Sequence, residues 1–147
     1  MKRFTKSICI IVAMVILLAV PVAAEENDNA TTWSRYYVSW SAYLYKESST
    51  QFDICFDVLA KGEMRYLGVS EVEVQRSSNG TTWTTIDTLT SDDYSEFMAE
   101  NTSMHMDYIL YTAAPGYYYR AYVTFYAENN SGGIGIMYEY TDVVKLP

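Results

Sequence analysis

Residues 115–127 constrain the fold more than any other part of the chain, because a turn signal is followed there by an alternating sequence. Pro115 and Gly116 are typical turn residues, and most of the residues after them are aromatic or β-branched. Successive residues of a strand point to opposite faces, so the segment divides into two sets. The inward set is Tyr119, Ala121, Val123 and Phe125, and the outward set is Tyr118, Arg120, Tyr122, Thr124 and Tyr126. The pattern predicts a half-buried β-strand.

Other segments have the same character. Residues 51–59 alternate between an apolar set, Phe52, Ile54, Phe56 and Val58, and a polar set. Lys61 and Gly62 predict the end of that strand. Asn79-Gly80 predicts the turn of a hairpin between residues 69–75 and 81–89, since this dipeptide tolerates positive φ. Trp83 and Ile86 have opposite parity there, which predicts either a bulge or one residue that faces solvent.

Residues 33–45 fit two interpretations. Trp33, Tyr36, Tyr37, Trp40 and Leu44 form a helical stripe, whereas Tyr36, Val38, Trp40, Ala42 and Leu44 alternate as in a strand. The aromatic and β-branched content favours a strand. Together with further strands near residues 104–111 and 134–144, the chain predicts an all-β, antiparallel sandwich of about seven strands.

The first 24 residues have the features of a signal peptide. Lys2, Arg3 and Lys6 precede an uncharged apolar run over 8–20, and small residues lead to a cleavage site after Ala24. A retained anchor is the alternative, but the run is shorter than the roughly 20 residues that span a bilayer. We therefore expect a secreted protein with a signal peptide at 1–24, a flexible lead-in at 25–32 and one domain at 33–147.

The net charge of the chain limits the classes of partner, and its cysteine content limits the disulfides that it can form. Without residues 1–24 the chain has seven basic and eighteen acidic residues, a net charge of −11. This charge argues against nucleic acids and anionic membranes as partners. Cys55 is then the only cysteine, so no intrachain disulfide forms. Its parity, opposite to that of Phe56, predicts an outward and inert thiol between two aspartates, which raise its pKa.

Catalytic and metal sites have little support. His105 is the only histidine, and no Gly-x-Ser-x-Gly motif accompanies it. Soft donors that could hold copper(I) are Met98, Met104, His105 and Met106, and oxygen donors that could hold calcium are Asp92, Asp93 and Glu96. Adjacent strand residues point to opposite faces, so the interpretation that we favour is two buried methionines beside an exposed histidine. We expect no catalytic residues, no metal and no cofactor.

Two motifs resemble fibronectin type III domains. Pro115-Gly116-x-x-Tyr119-x-Ala121-x-Val123, with Ala127-x-Asn129 and Gly132-Gly133, is similar to their penultimate strand and the loop after it, and residues 72–83 resemble their central hairpin. The resemblance implies an immunoglobulin-like sandwich in which the Tyr119 hydroxyl bonds to upstream backbone. Residues 51–59 lack the tryptophan usual in that strand, and no Arg-Gly-Asp tripeptide is present. The chain also resembles small secreted bacterial proteins of unknown function with this single domain. The expected framework residues are Tyr119, Trp83, Phe52, Phe56 and Gly116.

The outward aromatic residues are the candidate binding surface. Tyr118, Arg120, Tyr122 and Tyr126 form one row, and Tyr138 or Tyr140 of the last strand can lie beside it. Aromatic rings with polar tips suit sugar stacking or a protein interface. The alternative is that these residues only stabilise strand pairing. We expect a non-catalytic binding or adhesion module for a polysaccharide or surface protein, with a self-associating matrix component as the alternative and a small hydrolase less favoured.

Overall fold

A computed structural model describes residues 35–147. The signal peptide, its cleavage after Ala24 and the lead-in at 25–32 lie outside the described residues. The described chain is mostly β-strand, with a short 3-10 turn at Ser95–Phe97. Its strands are β1 (Tyr37–Lys46), β2 (Gln51–Ser77), β3 (Thr84–Thr90), β4 (Met98–Thr112), β5 (Tyr118–Glu128), β6 (Ile134–Tyr140) and β7 (Val144–Lys145).

β2 organises the seven-stranded antiparallel sheet. It is 27 residues long, and its first part pairs with β1 on one side and β4 on the other. Its second part pairs with β3 and β5, and β5 continues the sheet to β6 and β7. The sheet therefore has two arms that share β2. Their inner faces pack on each other, for example where the Phe52 and Tyr119 ring centroids lie 5.3 Å apart. This arrangement is compatible with a β-sandwich.

The core lies between the two arms and follows the alternation of the sequence. In β2, the apolar set of Phe52, Ile54, Phe56 and Val58 is at most 2% exposed, and the inward set of β5 is 0% exposed. Phe56 also meets Phe97 edge to face, with ring centroids 5.9 Å apart. Both alternating segments were correctly assigned to their inward and outward faces because each has one clearly apolar side.

The predicted strand end at Lys61 and Gly62 is wrong. β2 continues through these residues, with a register shift between Leu59 and Met64. The strand persists because pairing resumes after Gly62. Met64 pairs with β4, and Tyr66 pairs with both β4 and β5. The irregularity is a bulge that carries the chain from one arm to the other.

The predicted hairpin between β2 and β3 is present. Asn79 Oδ1 accepts hydrogen bonds from the amides of Thr81 and Thr82, both at 2.9 Å, and Gly80 has φ 76°. Val74 pairs with Asp87 and Gln75 with Thr85, so Ile86 is the extra residue of a bulge. Ile86 is also 38% exposed. The opposite parity of Trp83 and Ile86 therefore reflects both a bulge and a residue that faces solvent.

The ambiguous segment is a strand from Tyr37 onwards. The buried residues of this strand do not simply alternate, because a register shift between Tyr37 and Ser39 leaves Val38 exposed. Tyr37 is buried instead, and its hydroxyl donates to the Gly135 carbonyl oxygen at 2.7 Å. This bond ties β1 to β6 across the domain.

A second tyrosine joins β4 to β3 through a hydrogen bond. Its raised pKa leads us to expect that the folded state is less stable at alkaline pH. The Tyr111 hydroxyl donates to Asp87 Oδ2 at 3.1 Å. Burial, followed by the bond to Asp87, raises the pKa of Tyr111 from 10.0 to about 12. The folded pKa exceeds the unfolded one, so the stabilisation is complete below pH 10 and is lost as the pH rises from 10 to about 12.

We expect denaturant midpoints measured across this range to fall with pH in the native protein and to fall less in Tyr111→Phe. Identical pH slopes for the two proteins would contradict the assignment.

Candidate functional site

The outward sides of β5 and β6 form one aromatic surface. We call it the tyrosine face and define it as Tyr118, Arg120, Tyr122, Tyr126, Tyr138 and Tyr140. Tyr122 pairs with Tyr140, and Thr124 pairs with Tyr138, so the two rows of side chains lie side by side. Tyr138 is 57% exposed and Tyr140 is 50% exposed, whereas the members on β5 are half-buried. The structure therefore brings the six predicted residues to one side of the sheet.

Arg120 is held between two aromatic rings at the centre of this face. Its guanidinium carbon lies 4.4 Å from the Trp83 ring centroid and 4.3 Å from the Tyr140 ring centroid. The Nε donates to Gln75 Oε1 at 2.8 Å. Each cation–π contact stabilises this geometry by about 1 kcal/mol. The guanidinium is thus fixed in position, and its other N–H groups have no acceptor among residues 35–147.

Trp83 was expected among the framework residues, and its contacts place it beside the tyrosine face. It is partly exposed and packs against Arg120 rather than within the buried core. The sequence contained a signal for this, because Trp83 and Ile86 could not both point inward in an unbroken strand.

Three tyrosines, Tyr122, Tyr138 and Tyr140, pack together next to the Arg120 clamp, and we call them the platform. The Tyr122 and Tyr138 rings are parallel within 2°, with centroids 5.8 Å apart. Tyr140 leans over Tyr122, with centroids 4.5 Å apart and an angle of 42°. Burial, then the neighbouring Tyr140 and Tyr138, raises the pKa of Tyr122. The Tyr122 hydroxyl therefore stays protonated at physiological pH and can donate a hydrogen bond.

The two ends of the face are engaged in contacts within the protein. Lys145 Nζ lies 4.9 Å from the centroid of the Tyr118 ring. The Tyr126 hydroxyl donates to Glu128 Oε2 at 2.8 Å, and Glu128 also forms a salt bridge with Arg65 at 3.3 Å. The part most open to a ligand is therefore the central platform of Tyr122, Tyr138 and Tyr140.

The turn before β5 fixes where this face begins. Gly116 has φ 88° and its amide donates to the Leu146 carbonyl at 2.9 Å. The Tyr119 hydroxyl donates to the Ala114 carbonyl at 2.7 Å, the kind of bond that the fibronectin resemblance implies. These bonds anchor both ends of the turn and set the register of Tyr118 and Arg120.

The expected arrangement around His105 is wrong. Met104 is 56% exposed and Met106 is 63% exposed, whereas His105 points inward. His105 pairs with the buried Val58, packs 5.4 Å from the Phe56 ring, and bonds through Nε2 to the Glu96 carbonyl at 2.8 Å. The inward side of β4 carries its more polar residues, which is the reverse of the arrangement that sequence alternation predicts.

Cys55 lies on the outer side of β2, and burial, then Asp53, raises its pKa. Such a thiol is a weak nucleophile at neutral pH. Within residues 35–147 no three His, Cys, Asp or Glu side chains are grouped so that they could hold a metal ion.

Comparison with known proteins adds no assignment. None of the helices in the described part of the chain is long and apolar enough to span a membrane. The chain matches no protein-family model, and no curated protein or solved structure is significantly similar to it.

Proposed function

We propose that this protein is a secreted, non-catalytic binding or adhesion module whose ligand, a polysaccharide or a surface protein, docks on the tyrosine face. The observation that carries the proposal is the clamp of Arg120 between Trp83 and Tyr140, next to the parallel rings of Tyr122 and Tyr138. Secretion is supported by residues 1–24 of the sequence, which have the three regions of a signal peptide.

The proposed fold is a fibronectin type III-like sandwich. Support comes from the strand order, with β1, β2 and β4 in one arm and β3, β2, β5 and β6 in the other. The Tyr119 to Ala114 hydrogen bond is a second supporting feature. A departure is that β2 runs without a break from one arm to the other. In such sandwiches the outer face of a sheet is free for recognition.

The chemistry of the platform suits ligands with flat apolar faces and polar edges. Tyrosine offers a large contact area with only two rotatable bonds, so little conformational entropy is lost on binding. The Arg120 guanidinium is already ordered by its two rings and by Gln75, and it can donate further hydrogen bonds in a fixed direction. Stacking on Tyr138 and Tyr140 would supply affinity, and Arg120 would supply orientation.

We expect the Tyr138→Ser/Tyr140→Ser variant to lose retention on immobilised polysaccharides or surface proteins that hold the native protein. Each exposed ring contributes about 1 to 2 kcal/mol to an interface, so the dissociation constant should rise by roughly 30-fold or more. The measurement is a pull-down with the mature protein, followed by titration of any retained ligand.

The matched control is Tyr108→Ser, which removes an equally exposed tyrosine, 59% against 57% for Tyr138, from the opposite outer surface. Retention that survives the double substitution would remove the proposal. Concentration-dependent oligomers in light scattering, with no ligand retained, would instead favour the self-associating matrix component.

A further inference from the structure

The outer surface of the β1, β2 and β4 arm is apolar along both of its edges. Alternate residues of β4 point outward and are 51–63% exposed, namely Met104, Met106, Tyr108 and Leu110. On the far side of the same arm, β1 exposes Tyr43 at 48% and Tyr45 at 59%. Monomeric proteins rarely expose contiguous apolar patches larger than a few hundred Å², and larger ones mark interaction sites. This face has no role in the function proposed above.

Short side chains on the central strand turn the face into a groove. Cys55 pairs with Tyr43 on one side and with Tyr108 on the other. Asp57 likewise lies between Ser41 and Met106. A cavity of about 300 Å³ results, with Tyr43, Met106 and Tyr108 as walls and Cys55 and Asp57 at the floor.

The floor of the groove is negatively charged, and no basic side chain of residues 35–147 forms a salt bridge with it. The Ser41 hydroxyl donates to Asp57 Oδ2 at 2.6 Å, which leaves the other carboxylate oxygen without a hydrogen bond from residues 35–147. The salt bridge that the described residues form joins Arg65 to Glu128, on the other arm, so Asp53 and Asp57 have no ion pair within that part of the chain. Neighbouring groups respond to the charge. The pKa of Glu47 is raised, first by its hydrogen bond with Asp53, and that of Cys55 is raised by burial and then by Asp53.

Charge complementarity indicates which kind of group binds in the groove. A second copy packed face to face would bring its own Asp53 and Asp57 onto this floor, and the chain beyond residue 24 already carries −11. A neutral segment would cover the carboxylates without compensating for their lost hydration. A lysine or arginine satisfies both parts of the groove, because its aliphatic stem packs between aromatic walls while its charged head reaches the floor.

The spacing of the two aspartates indicates the shape of the partner. Asp53 and Asp57 lie on the same side of β2, four residues apart, which corresponds to about 13 Å in an extended strand. An extended peptide with two cationic residues four positions apart matches this spacing. We propose that the groove is a docking site for an extended, lysine- or arginine-bearing segment of a protein partner, separate from the ligand of the tyrosine face.

The test uses the mature protein and a fluorescently labelled peptide with two lysines four residues apart, alongside the same peptide with two glutamates. We expect the lysine peptide to bind in anisotropy titrations at low salt and the glutamate peptide not to bind. Asp57→Asn, which keeps an acceptor for Ser41, should weaken binding by about tenfold or more. Raising the salt concentration to about 0.5 M should also weaken binding of the lysine peptide to the native protein.

Two variants make the result specific to the groove. Asp92→Asn removes the same charge from an exposed loop and should bind like the native protein, and Tyr108→Ser should weaken binding through loss of a groove wall. Circular dichroism and melting confirm that each variant is folded. Equal losses in Asp57→Asn and Asp92→Asn, an unchanged affinity in Asp57→Asn, or no binding of the lysine peptide would each overturn the proposal. Tyr138→Ser/Tyr140→Ser should leave this binding unchanged, so the two proposals fail independently.

Discussion

We expect the Phe52→Ala variant to lose about 4 kcal/mol of unfolding free energy, which corresponds to roughly 15 °C in melting temperature for a domain of this size. Phe52 is 0% exposed, and its ring lies 5.3 Å from both Tyr111 and Tyr119. These rings come from β4 and β5, so Phe52 packs where the two arms of the sheet meet. Its truncation leaves a cavity that neither arm can fill alone.

The control for Phe52→Ala is Tyr45→Ala, which removes an aromatic ring that is 59% exposed on the neighbouring β1. Urea denaturation of both variants should show a large fall in the midpoint for Phe52→Ala and a small one for Tyr45→Ala. Similar midpoints would contradict the view that the arms are joined by a single apolar core.

The second large effect is expected at Gly68, where β2 pairs with both β4 and β5. Its φ is 155°, and a Cβ built there would overlap the Phe97 carbonyl oxygen and approach the His105 ring to 3.1 Å. The obstructing atom belongs to the backbone, so the clash is relieved only by moving the turn at Ser95–Phe97. We expect Gly68→Ala to lower the unfolding free energy by on the order of 3 kcal/mol.

Gly62→Ala is the matched control, since a Cβ at Gly62 meets nothing within 4 Å. This variant should be close to neutral in the same denaturation experiment. If Gly68→Ala melted with the native protein, the close packing of β2 against the 3-10 turn would be wrong.

The sequence predicted the parts of the fold in which one face of a strand is clearly apolar. Phe52 and Phe56 on β2 and Val123 on β5 follow their parity, and Asn79-Gly80 makes the expected hairpin. The same parity brought Arg120 and Tyr122 to the outer face together with Tyr138 and Tyr140. The clamp between Trp83 and Tyr140 could not be predicted, because it depends on a bulge at Ile86 that shifts one strand against another.

The other outer face was missed for a different physical reason. In β4 both sets of alternate residues contain apolar side chains, Met106 and Tyr108 in one and Ile109 and Tyr111 in the other. The first set is the more apolar, so alternation favours it as the inward face, but the register with β2 places the second set inward. Pairing with Val58 turned His105 inward and left the methionines outside, which is why the groove appears only in three dimensions.

The most direct test of the central claim is an array of polysaccharides and extracellular proteins probed with the mature protein, Tyr138→Ser/Tyr140→Ser and Tyr108→Ser. Binding through the tyrosine face predicts at least one ligand that the native protein and Tyr108→Ser retain and the double variant loses. Equal retention of every bound ligand by all three proteins, or no ligand retained by the native protein, would contradict the claim.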